Sequence, residues 1–114
     1  MKKPDVIRND RDFTNLYRKG KSAGSKYVVV FYLKNNLDYS RKAFLASKKV
    51  GNSVARNRAR RLMKEAYRKT EASVSLGYDI LFIARNTIVD AKCDDVFKSM
   101  KGILKKSGLL VQNR

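Results

Sequence analysis

The sequence predicts an α+β fold: one small domain in which three helices pack on a central mixed β-sheet. Three observations carry that expectation. Residues 27–33 and 78–84 form runs of β-branched and aromatic side chains, the mark of strands. Three other stretches repeat apolar residues at helical spacing. Gly, Asn and Ser punctuate the boundaries between them. The chain of 114 residues is 43% hydrophobic and holds eleven Phe and Tyr, enough for a core and too apolar for intrinsic disorder. Its one proline is Pro4, and no repeat or low-complexity tract divides it, so residues 1–114 read as a single domain.

The first helix lies in "NDRDFTNLYRKG". Asn9 can cap it, Asp10 and Asp12 suit its first turn, and Gly20 can close it. Phe13, Leu16 and Tyr17 fall at i, i+3 and i+4 and give it one apolar face. The strand at 27–33 is apolar on both faces, so it is expected to be central or covered on both sides. "RKAFLASKKVGN" gives a second strand at about 43–49, with antiparallel pairing to the first as the natural short connection. Gly51 and Asn52 break it, and Asn52 or Ser53 caps a helix that runs to about residue 69. After the strand at 78–84, the last helix starts near residue 90. Cys93, Val96, Phe97, Met100, Ile103 and Leu104 share one face of it, which would bury Cys93, and Gly108 ends it. The expected order is α-β-β-(β)-α-β-α, with residues 1–8 flexible and 109–114 a frayed tail.

Charge is the dominant compositional feature. The formal net charge is +17, and residues 41–69 hold eleven Lys and Arg against Glu65 alone. Such self-repulsion destabilises a compact monomer and points to a polyanionic partner, nucleic acid before an anionic membrane. With no His and one Cys, a Cys/His zinc site, a His general base and a Ser-His-Asp triad are excluded. The neighbours Asp94 and Asp95 suit helix capping better than a metal pair. The N-terminal "MKKPDVIRND" has no apolar h-region, and no run is long enough to span a bilayer. A reduced, cytoplasmic location is therefore expected.

On a wheel of about 100° per residue, Ala55, Ala59, Leu62, Met63 and Ala66 gather on one side of the 54–69 helix. Arg56, Arg60, Lys64 and Arg68 stack at intervals of four on the other, with Asn57 and Arg61 beside them and Arg58 on a flank. Like charges at i, i+4 cost about 0.2–0.5 kcal/mol per pair in an isolated helix. Phosphates reverse that sign by releasing counterions and by accepting paired guanidinium hydrogen bonds. Lys48 and Lys49 would extend the ridge. Double-stranded RNA, a folded RNA or DNA would each satisfy it, and the charge pattern does not choose among them. Phe13, Tyr17 and Phe31 could stack bases of a single strand, although ordinary core packing also accounts for them.

"KKVGNSVARNRARRLMKEAYR" resembles the signature of the protein subunit of bacterial ribonuclease P, an RNR box after a Gly-Asn turn. The box here comprises Gly51, Asn52, Val54, Arg56, Asn57, Arg58, Arg60, Arg61 and Lys64. "DFTNLYRKGKS", "YVVVFYL" and "YDILFIAR" resemble that family's first helix, central strand and later strand, so the likeness covers nearly the whole chain. The resemblance implies a subunit of a ribonucleoprotein endoribonuclease that removes the 5′ leader from precursor tRNA. It implies that hydrolysis belongs to a catalytic RNA and to Mg2+ ions held mainly by it; the residues agree, since acids are scarce and no carboxylate cluster offers a catalytic or metal site on the protein. The basic helix and its preceding turn would bind the catalytic RNA, and a cleft with Phe13, Tyr17 and Phe31 would take the leader. A left-handed crossover around the basic helix is also implied. Phe31 stands where a tyrosine is common in the family, so any role for that hydroxyl is lost. A ribosomal-type RNA-binding module is the alternative, although such proteins more often carry a long basic extension. A DNA-binding domain would call for a helix-turn-helix pattern or a dimer interface, and neither is found.

Overall fold

The computed structural model describes residues 5–111. Helix α1 (Asp10–Lys19) precedes three strands, β1 (Lys21–Gly24), β2 (Val28–Lys34) and β3 (Arg41–Leu45). The long helix α2 (Ser53–Thr70) leads into β4 (Tyr78–Ala84), and α3 (Cys93–Lys106) follows. Short 3-10 turns at Glu71–Ser73 and Asn86–Asp90 connect the later elements.

The sheet order is β1-β2-β4-β3. Strand β4 lies between β2 and β3, antiparallel to the first and parallel to the second. The expected antiparallel pairing of the second strand with the first is therefore corrected. Residues 35–40 carry the chain past the place that β4 fills, and β3–α2–β4 becomes a crossover between parallel neighbours. β3 also sits earlier than expected, ending at Leu45. The third strand before α2 is β1, which precedes the two expected strands instead of following them.

Strand alternation gives the sheet two faces. On one, Val28, Val30, Ile80, Phe82 and Ala84 pack beneath α2 and α3 with Leu62, Met63, Val96, Met100 and Leu104. Phe44, Tyr67 and Phe82 form a three-ring cluster there, with centroids 5.2–5.8 Å apart. Burial pushes the Tyr67 hydroxyl well above its ordinary pKa. On the other face, Leu16 of α1 packs on Ala43 and Leu81, with Ile7, Phe13, Phe31, Leu33 and Ile83 around them.

A polar network fixes α1 over that second face. Asp79, 6% exposed, accepts from Arg41 Nε at 2.8 Å, from Arg41 Nη2 at 2.6 Å and from Asn35 Nδ2 at 2.9 Å. Arg41 Nη1 then reaches Asp12 of α1 at 3.2 Å. The hydrogen bonds to Asp79, reinforced by both carboxylates, raise the Arg41 pKa further.

Both chain ends depart from expectation where they are described. Val6 bridges Lys42, Ile7 N–H donates to the Lys42 carbonyl at 2.9 Å, and Ile7 is 3% exposed. Residues 5–7 thus cover part of the β3 edge, while residues 1–4 lie outside the described range. In the tail, Leu109 is 1% exposed and Val111 N–H donates to the Ser73 carbonyl at 2.6 Å, so 109–111 is docked and not frayed. Residues 112–114 lie outside the described range. Cys93 is exposed, because α3 begins at that residue and its apolar face starts at Val96.

Candidate nucleic-acid interface

Local sequence explains how α2 is presented. Gly51 has φ +147°, and a Cβ there would meet Ala55 Cβ at 2.9 Å. Asn52 caps the helix by accepting from Ala55 N–H at 3.0 Å. Its predicted place in the interface therefore includes a structural duty. Ala59, Leu62, Met63, Ala66 and Tyr67 are buried, which fixes the opposite side outward.

The ridge is less uniform than the wheel implies. Arg61 and Lys64 are exposed and take part in no side-chain hydrogen bond or ion pair among the described residues. Arg60 Nη2 donates to Asn57 Oδ1, which holds two ridge members together. Arg56 is half-buried, with Nη2 3.4 Å from Ser53 Oγ and an unpartnered Nε. Arg68 is paired with Glu65, and that contact holds the Glu65 carboxyl below the usual range. Lys48 and Lys49 are exposed in a turn beyond β3, not on a strand, where the Lys48 carbonyl accepts from Gly51 N–H at 3.2 Å. Val54 of the box is 77% exposed.

Arg58 leaves the ridge. Its Nη1 donates to the Val89 carbonyl at 3.2 Å and its Nη2 to the Ala91 carbonyl at 2.7 Å. It ties α2 to the segment ahead of α3, and its guanidinium is committed inside the domain.

The three aromatic candidates come together. Tyr17 and Phe31 meet edge-to-face, 5.2 Å between centroids and 73° between planes. Phe13 packs on the same small cluster as Phe31. Tyr17 is 48% exposed, and Phe13 and Phe31 are half-buried. Strand register places Val29, Ile83 and Leu45 side by side on this face. Leu45 is 37% exposed and Val29 and Ile83 are only partly covered, so α1 leaves that end of the face open. The end in question leads into the Lys48–Lys49 turn and the start of α2.

Arg41 and Asp79 were missed as positioning residues. No local spacing signals this pair, because only β3–β4 pairing closes the 38-residue separation between them. Among the described residues, no three of His, Cys, Asp and Glu gather as a metal site. Six acids are paired with Lys or Arg: Asp5, Asp12, Glu65, Glu71, Asp79 and Asp94. Asp95 instead accepts from Lys92 N–H at 3.0 Å at the start of α3.

The profile of the Ribonuclease P family matches residues 1–108. The chain belongs to the ribonuclease P protein family. It is 45% identical over 106 residues to the ribonuclease P protein component of Clostridioides difficile, covering 92% of this chain and 93% of that one. The solved RNase P protein of Staphylococcus aureus superposes with a TM-score of 0.86 at 30% identity, covering 95% of this chain and 99% of that one. That of Thermotoga maritima gives 0.81 at 30% identity, covering 89% and 96%. The chain is accordingly the protein subunit of an endoribonuclease of tRNA processing, and its partner is an RNA. The ribosomal-type alternative is set aside. No helix among the described residues is long and apolar enough to cross a membrane.

Proposed function

We propose that this ribonuclease P protein holds the catalytic RNA along the outer face of α2 and the precursor tRNA 5′ leader in the aromatic cleft beneath α1. The observation that carries the reading is a juxtaposition. The open end of the Phe13–Tyr17–Phe31 face runs into the turn that bears Lys48 and Lys49, and α2 begins there. Arg60, Arg61 and Lys64 continue the positive surface outward. A single strand lying on the rings would thus have its phosphates delivered toward the basic helix.

The division of labour follows from the side chains. In this reading the protein supplies no acid, base or nucleophile, and the phosphodiester chemistry belongs to the RNA with Mg2+ ions bound to it. Among the described residues no three acids gather as a metal group, which supports that assignment. Its contribution is charge neutralisation, which lowers the ionic strength that the RNA needs, and leader capture.

Cleavage of precursor tRNA by a bacterial ribonuclease P RNA, at low Mg2+ with and without this chain, tests the reading. Strong stimulation with one cut at the leader junction is expected, and RNA binding without stimulation would overturn it. Arg60→Glu with Lys64→Glu should reduce the slope of log affinity against log salt by about two, roughly 0.9 per lost contact. An unchanged slope would move the RNA face elsewhere.

A further inference from the structure

A second basic and aromatic groove lies at the opposite end of the sheet from the Lys48–Lys49 turn. It occupies about 350 Å³ where the end of α1, the start of β1, the end of β2, the start of β4 and the end of α3 converge. That volume is within the range of small-molecule sites, roughly 300–1,000 Å³. Lys19, Lys21 and Lys34 ring it, all exposed, and no acid lines it. None of the three lysines makes an ion pair or a side-chain hydrogen bond among the described residues. Their convergence is built into the fold. Gly20 packs so closely on β2 that a Cβ would meet the Leu16 carbonyl oxygen at 2.5 Å and the Tyr32 carbonyl oxygen at 2.9 Å. The close approach brings Lys19 and Lys21, on either side of it, against Tyr32.

The floor is aromatic. Tyr32 and Tyr78 are half-buried with centroids 6.4 Å apart and planes inclined by 59°. Neither hydroxyl makes a hydrogen bond among the described residues. Ser107 Oγ also borders the groove, buried and without a hydrogen-bond partner. A buried hydroxyl left unpaired is unfavourable, so a polar ligand that reaches it gains that interaction. Clustered ammonium groups suit phosphate. Rings suit the face of a base, which every nucleotide offers.

We propose that this groove is a second nucleotide-binding site, separate from the α2 ridge and the leader cleft. It takes a nucleoside monophosphate unit of single-stranded RNA, with the phosphate among Lys19, Lys21 and Lys34 and the base against Tyr32 or Tyr78. Ser107 supplies a polar contact to the ligand. The assignment rests on the RNA-binding reading above, and it adds a contact for RNA beyond the ridge and the cleft. A free nucleotide shares the chemistry, so the test has two arms.

The full chain is titrated by NMR, once with adenosine monophosphate and once with a five-nucleotide single-stranded RNA. Saturable shifts of the Tyr32 and Tyr78 ring signals and of the Ser107 and Gly108 amides are expected. Shifts with RNA assign the strand as the source, and shifts with the monophosphate alone assign a free nucleotide. Replacing Lys19, Lys21 and Lys34 together by Gln should weaken binding at the groove roughly tenfold and reduce its salt slope by about two. Unmoved Phe82 ring signals would show that this variant keeps its fold. Groove signals that stay still while Arg61 and Lys64 respond to RNA overturn the second site and leave the first intact. Silence at both places would remove the RNA-binding reading as well.

Discussion

The two faces of the sheet use the same kinds of residue to opposite ends. Beneath α2 and α3, Phe44, Tyr67 and Phe82 close into a ring cluster in which Phe82 is fully buried. Beneath α1, Phe13, Tyr17 and Phe31 also meet, yet Tyr17 stays 48% exposed. The difference lies in coverage. Two helices of 18 and 14 residues span the first face, while one helix of 10 residues rests on the second. A short helix cannot roof four strands, and the uncovered remainder is a cleft. Aromatic identity therefore does not separate closed core from open cleft; the length of what lies above does.

That contrast can be broken by truncating one ring on each face. Phe82→Ala should cost about 4 kcal/mol, a large part of a small domain's stability, because it opens a cavity in packed surroundings. Phe31→Ala should cost much less in the same urea titration, since its ring already borders solvent. Equal losses would show that the cleft face is an ordinary core.

The next effect concerns how α1 is held. Arg41→Ala leaves the buried Asp79 without its bidentate partner and releases Asp12, at a cost of about 3 kcal/mol. Leader affinity should fall along with stability, because the cleft wall loses its anchor. Retained leader binding in a destabilised protein would show that α1 is seated by Leu16 and Phe13 alone.

Phe13→Ala with Tyr17→Ala should weaken binding of precursor tRNA roughly thirtyfold, the low end of about 1–3 kcal/mol for each of two stacking rings, and leave mature tRNA nearly unaffected. Equal loss on both substrates would return the rings to the core. The smallest effect is expected on the ridge. Glu65→Gln frees Arg68 from its exposed partner and should raise RNA affinity about twofold at low salt. An unchanged affinity would mean that Arg68 does not face the RNA.

What could be read from the sequence were the features set by neighbours along the chain. Asn9 and Asn52 cap their helices as expected, through bonds to residues two and three positions on. The apolar stripe of α2 and its basic opposite face follow from helical period alone, and the RNR box is contiguous, so the family was legible at once. Phe13 and Tyr17 share a face for the same local reason. Tertiary structure decided whatever depended on remote partners. Strand β4 entered between β2 and β3, which no turn signal encodes. Arg58 was drawn from the ridge by carbonyls 31 and 33 residues away. Cys93 turned outward at the helix start, and Leu109 found the core. Helical period fixes which side chains share a face, but what each face meets depends on elements brought there by long-range packing. Burial of apolar area is non-directional, so the sequence alone determined the basic helix and its family, whereas the fold decided which of its charges remain exposed and unpaired.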